Sequence, residues 1–132
     1  MKTSRIIVFL SAVVFACLAL SAEAADRIRT GQWAGTTTVK TRTYNTSNCI
    51  TPDDAAAMNG DAKSFQAYLE KTIPPEICKF TDIKVNGSEV IYTSTCKARP
   101  PRVVTTQYYG DRFESTSSSG AKSDGKLEGP CK

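Results

Sequence analysis

The side chains that could move protons or make bonds are few, and what is missing narrows the chemistry first. Histidine is absent from all 132 residues. That removes Ser-His-Asp and Cys-His catalysis and the usual imidazole metal ligands, leaving Lys, Asp, Glu or Tyr for proton transfer. Five cysteines are present. Reduced, Cys49, Cys78, Cys96 and Cys131 could hold zinc, but no pair has the C-x2–4-C spacing that lets two thiolates grip one ion. Oxidised, they leave no thiolate nucleophile. No metal and no cofactor is expected.

Serine–lysine chemistry is the next candidate. Ser119-Gly120-Ala121-Lys122 fits the S-x-x-K string of penicillin-recognising enzymes, and Ser123-Asp124-Gly125 and Arg29-Thr30-Gly31 echo their other two motifs. That chemistry needs a serine at a helix N-terminus, a lysine one turn later and a large cleft. Here the serine sits in a Ser/Gly-rich turn, the motif order is wrong and the chain is too short. Ser94-Thr95-Cys96-Lys97 matches the same string, which shows how little one match means. Asp53-Asp54 could be a glycosidase acid pair, but first-turn helix acids explain them better. Asp124-Gly125-Lys126-Leu127-Glu128 has a calcium-loop outline, yet offers too few oxygens and puts a lysine among them. No catalytic residue is assigned, and a non-enzymatic protein is expected.

Two groups remain as binding candidates. Lys97, Arg99 and Arg102 form a basic cluster around Pro100-Pro101. It reads either as a solvated loop or as an anion, lipid-headgroup or partner contact. Trp33 with Tyr92, Tyr108 and Tyr109 could line a pocket, although strand aromatics in a thin-cored protein are more often the core itself.

The elements that position these residues begin after an export signal. Lys2 and Arg5 precede an apolar run, residues 6–20, and Ala22-Glu23-Ala24 supplies the small residues of a cleavage site. The run falls short of the roughly 20 residues needed to cross a bilayer. The expectation is therefore a signal peptide over 1–24, cleaved after Ala24, with Cys17 leaving in it. The mature chain, 25–132, is then one periplasmic domain with no transmembrane segment. It carries 15 basic and 12 acidic side chains, a net charge of +3, too small to point to nucleic acid or a membrane surface. Leu, Ile, Val and Phe number only 16 in it, so the core is thin for the entropy it must offset. An even set of four cysteines in a small exported domain reads as two disulfides that reinforce that core.

β-Branched residues 36–41 predict a first strand, and Asn45-Thr46-Ser47-Asn48 a turn. A helical segment follows. Thr51 is its capping hydroxyl, Pro52 needs no N–H there, and Asn59-Gly60 suits a left-handed ending. Asp61 can cap a second helix whose Phe65, Tyr68 and Leu69 share a face, until Pro74-Pro75 stops it. From Cys78 the period becomes two. Residues 80–85 and 89–96 form a hairpin about Asn86-Gly87, residues 102–109 and 112–116 a second about Gly110-Asp111, and 121–131 a last extended segment.

The hairpin suggests the disulfide pairing. With Asn86-Gly87 as a two-residue turn, Val85 faces Ser88 and the ladder brings Cys78 opposite Thr95. One β-bulge then aligns Cys78 with Cys96 and leaves Cys49 for Cys131. The rival pairs Cys49 with Cys78 and Cys96 with Cys131.

Gly31-Gln32-Trp33, Cys49-Ile50-Thr51-Pro52 before a short helix, a cysteine at each end of an Asn-Gly hairpin and a C-terminal Gly129-Pro130-Cys131 together make an ordered set. The set resembles the family of exported bacterial proteins catalogued as domain of unknown function 3617. Many relatives carry an acidic residue after the tryptophan, where this chain has Ala34. The resemblance implies a periplasmic or envelope location in a Gram-negative bacterium and carries over no catalytic residue. The expected fold is α+β, a curved antiparallel sheet of about five to seven strands with one short helical segment against it, the sheet either open or closed into a barrel. The expected function is a non-catalytic binding or interaction module for a protein partner or small ligand, with a small inhibitor of a secreted hydrolase as the alternative.

Overall fold

The computed structural model describes residues 26–132. The expected signal peptide, Cys17 and the cleavage point after Ala24 lie outside the described residues. A first hairpin, β1 (Gly31–Val39) and β2 (Arg42–Ile50), is followed by two helices, α1 (Pro52–Asn59) and α2 (Ala62–Thr72). Five strands complete the chain: β3 (Cys78–Asn86), β4 (Glu89–Cys96), β5 (Arg102–Tyr108), β6 (Arg112–Ser117) and β7 (Lys122–Gly129). All seven strands form one antiparallel sheet in the order β2-β1-β7-β6-β5-β4-β3. Its edges, β2 and β3, do not pair with each other, so the sheet is open and the barrel alternative is set aside. The helical segment is longer than a single short helix. Because it joins the two edge strands, it must carry the chain from one side of the sheet to the other.

The helix signals act as the sequence suggests. The Thr51 hydroxyl accepts from the Asp54 N–H at 3.2 Å, Pro52 opens α1, and the Asp61 carboxylate accepts from the Ser64 N–H at 2.9 Å. Phe65, only 2% exposed, anchors α2, with Tyr68 and Leu69 packed against the same core. Gly60 corrects the expected left-handed ending, since its φ is −78°. Its small size serves close approach instead: a Cβ there would lie 2.7 Å from the Ser64 Cβ.

Register decides which side chains face the helices. Trp33, Gly35 and Thr37 on β1 lie opposite Leu127, Gly125 and Ser123 on β7, and Tyr92 on β4 lies opposite Val104 on β5. Ile28, Trp33, Ile50, Met58, Phe65, Val90 and Tyr108 meet between the layers. Phe65 packs on Tyr92 with ring centroids 6.2 Å apart, and Phe80 meets Tyr92 edge-on at 5.8 Å.

Three local readings are corrected. Residues 45–48 are strand, not turn; β2 pairs with β1 over its whole length, and the chain reverses at Lys40-Thr41, with Lys40 at φ 55°. β2 is an edge strand with eight of its nine residues exposed, so no alternation of apolar and polar residues marks it. In the second hairpin Asn86 pairs with Glu89, which moves the turn to Gly87-Ser88. The bulge is also on the other strand. Residues 82–83 sit in β3 between the Thr81–Thr93 and Lys84–Ile91 pairs, with Asp82 at φ 53°.

The pairing itself holds: Cys78 is bonded to Cys96 and Cys49 to Cys131. Both ends of the helical segment are thereby fixed. Cys49 precedes α1 and links β2 to the C-terminus, while Cys78 follows α2 and links β3 to β4.

A buried arginine completes the join. Arg27, 6% exposed, donates to the Met58 carbonyl from Nε at 3.0 Å and from Nη2 at 2.8 Å, to the Gly87 carbonyl at 3.0 Å, and to the Gly60 carbonyl. Burial lowers its pKa, but the negative end of α1 and these carbonyls satisfy the cation. Sequence reading passes over Arg27, because nothing local shows that the end of α1 arrives beside it.

Candidate functional site

Gly35 and Thr37 on β1, Gly125 and Ser123 on β7 and Ser115 on β6 put small and hydroxyl-bearing residues among the aromatics of the helix-facing side. At one end of that side, α1 and α2 cover it. A cavity of about 150 Å³ lies there, lined by Ile28, Trp33, Ile50, Met58 and Phe113, with Gly35 and Gly125 on its sheet side. Gly125 is needed for this packing, since a Cβ would fall 2.2 Å from the Phe113 ring. Trp33 is held by its indole N–H, which donates to the Arg29 carbonyl at 2.9 Å.

The next positions along the same strands form a different surface. Thr37 and Val39 on β1, Ser123 on β7 and Ser115 on β6 line a groove of about 370 Å³, together with Arg99 and Arg102. No helix residue contributes to that lining. The hydroxyls are paired across strands: Thr37 with Ser123 at 2.9 Å, and Thr106 with Ser115 at 2.9 Å. Register explains why they converge, because 37 and 123, and 115 and 123, are direct cross-strand partners.

Arg99 and Arg102 come from the β4–β5 connection, which is firmly placed. Its base is the Cys78–Cys96 bridge, the Lys97 N–H donates to the Ile77 carbonyl at 3.0 Å, and the Arg99 N–H donates to the Cys96 carbonyl at 3.2 Å. Ala98 lies in the left-handed region at φ 58°. Arg102 begins β5 opposite Ser94 and is half-buried, whereas Arg99 is exposed. Burial raises the Tyr92 phenol pKa, and the nearby Arg102 cation opposes that shift, which places positive charge beside the groove's aromatic wall.

The surroundings leave that charge uncompensated. Among the described residues the ion pairs are Lys71–Asp54 and Arg112–Glu114, and neither involves the groove. By register, the helix-facing positions of β1, β5, β6 and β7 include no aspartate or glutamate, and the groove's lining has none; Asp124 and Glu114 lie opposite each other on the reverse face. An entering anion therefore meets guanidinium and hydroxyl donors, without a carboxylate in the groove's lining.

The other sequence candidates separate. Lys97 is exposed and does not line the groove. Tyr109 is exposed under the Arg112 guanidinium, 3.9 Å from its ring centroid, and lines neither the cavity with Trp33 nor the groove with Tyr92. Ser119 lies in the β6–β7 turn, where its hydroxyl meets that of Ser117 at 3.0 Å, and Lys122 opens a strand. Ser94 is buried in β4 beside Cys96. Asp53 and Asp54 are first-turn acids of α1, and 124–128 is strand, not loop.

A family model described as "Protein of unknown function (DUF3617)" matches residues 28–131. The chain belongs to this family. The match takes in every strand, both helices and both disulfides. No curated protein and no solved structure matches the chain.

Proposed function

We propose that this DUF3617 domain is a non-catalytic binding module of the bacterial envelope, and that it holds an anionic ligand in the groove at Arg99 and Arg102. One observation carries the reading: two guanidinium-bearing side chains, one on a fixed loop and one at the start of β5, line a hydroxyl-rich groove whose lining includes no acid. The Thr37 and Ser123 hydroxyls bond to each other and that of Ser115 to buried Thr106, not to a base, an arrangement suited to holding a ligand and not to activating a nucleophile. The envelope location is supported by the signal-like N-terminal sequence and by two disulfides, which form and persist in oxidising compartments.

The inhibitor reading draws on the same loop, because residues 97–101 are all exposed beside a disulfide. Arg99 and Arg102 line the groove and do not simply project from the loop, which favours a ligand over a protease-like target. Native mass spectrometry of the protein purified from its own periplasm tests the choice. A small anion should be retained by the wild type and lost from Arg99→Ser/Arg102→Ser. Retention of a protein in its place, unaffected by that double substitution, would reject the reading.

A further inference from the structure

We propose that the ligand is an amphiphilic oxyanion: a carboxylate or phosphate head held by Arg99 and Arg102, carried on a compact apolar group that enters the cavity beneath the helices. This deepens the anion-binding reading and rests on it. The two hollows are successive parts of one face. Gly35 and Gly125, on the sheet side of the cavity beneath the helices, are cross-strand partners, and the next pair on that side is Thr37 with Ser123, in the groove. Two residues of strand separate these pairs, roughly 6.7 Å, and Val39 lies about as far again toward the groove's end.

The two linings call for different chemistry. Ile28, Trp33, Ile50, Met58 and Phe113 give the cavity an apolar wall, faced by the more polar Tyr68, Tyr108, Thr46 and Asn48, and about 150 Å³ is room for a group the size of a benzene ring. A small inorganic anion would leave that space unused. A ligand with a short hydrocarbon part fills it while its head stays with the arginines, and each methylene buried tightens binding by about fourfold. Thr46 and Asn48 also line the cavity from exposed positions on edge strand β2.

Calorimetric titration of the disulfide-intact protein with acetate, butyrate, hexanoate, octanoate and octyl phosphate tests the inference. The expected result is affinity that climbs with chain length, octanoate at least 30-fold tighter than acetate, with the tighter of octanoate and octyl phosphate assigning the head. Thr46→Phe, on the exposed edge strand, should weaken octanoate at least tenfold and leave acetate unchanged, while Arg99→Ser/Arg102→Ser weakens both. The wild-type chain-length series stands without any variant. Equal affinity for acetate and octanoate, both sensitive to the arginine substitutions, would overturn the amphiphile and leave the anion site intact. Octanoate binding indifferent to the arginines, or no binding of any anion, would overturn the anion site as well.

Discussion

Replacing Cys49 and Cys131 together by serine removes the longer cross-link with little else. Both residues are exposed, so the change opens no cavity and buries no hydroxyl. Their separation of 82 residues corresponds to a loop-closure contribution of about 4.5 kcal/mol, an upper guide from chain entropy. The 18-residue separation of Cys78 and Cys96 corresponds to about 3.2 kcal/mol, to which loss of a buried Cys78 would add. A domain of this size has roughly 5–15 kcal/mol in total, so loss of the long bridge leaves it marginal. Equilibrium urea unfolding at 25 °C measures the effect. The double variant should lose about 4 kcal/mol, melt about 20 °C lower, and show a larger m-value because its unfolded chain is less constrained. A loss below about 1 kcal/mol would refute the entropic account of how this thin core is held together.

Further expectations concern single side chains. Arg27→Met removes the donors to three carbonyls and should destabilise the domain by about 2 kcal/mol in the same unfolding assay, since the Met58 acceptor stays buried while those of Gly60 and Gly87 are part-buried. Ala98→Gly relieves a left-handed backbone and should stabilise by about 0.5 kcal/mol, read as a raised melting temperature. The hydrogen bond from Lys71 holds the Asp54 carboxyl below its usual range. Its stabilising effect is therefore present above the unfolded-state pKa and fades as pH falls through the lower folded-state value. Stability curves of Asp54→Asn and wild type should differ slightly at pH 7 and converge in acid.

How far the sequence discloses these features follows from what makes each one local. Both helix starts are legible because their signals act within one turn: a cap, a proline and two acids for α1, and the Asp61 cap for α2. The Cys78–Cys96 pairing is legible because a hairpin is nearly local, even though the turn lies one residue further on and the bulge falls in β3. β2 is hidden. Its Thr43-Tyr44-Asn45-Thr46-Ser47-Asn48 run faces water on an edge, so burial imposes no period and the composition resembles a turn. The arginine cluster is visible as residues, but the groove is not, because Thr37, Ser115 and Ser123 come together only through the register of three strands. Arg27 is invisible for a similar reason, its partners lying 31, 33 and 60 residues away.

The most direct test of the anion site is a titration followed by nuclear magnetic resonance, with nitrogen-labelled arginine side chains and backbone amides observed as octanoate is added. Saturable shifts should centre on the Arg99 and Arg102 guanidinium groups and on the amides of Ser115 and Ser123. Saturable shifts centred on Arg29 and Tyr109, which line a separate hollow of about 380 Å³ with Asp26, would contradict it.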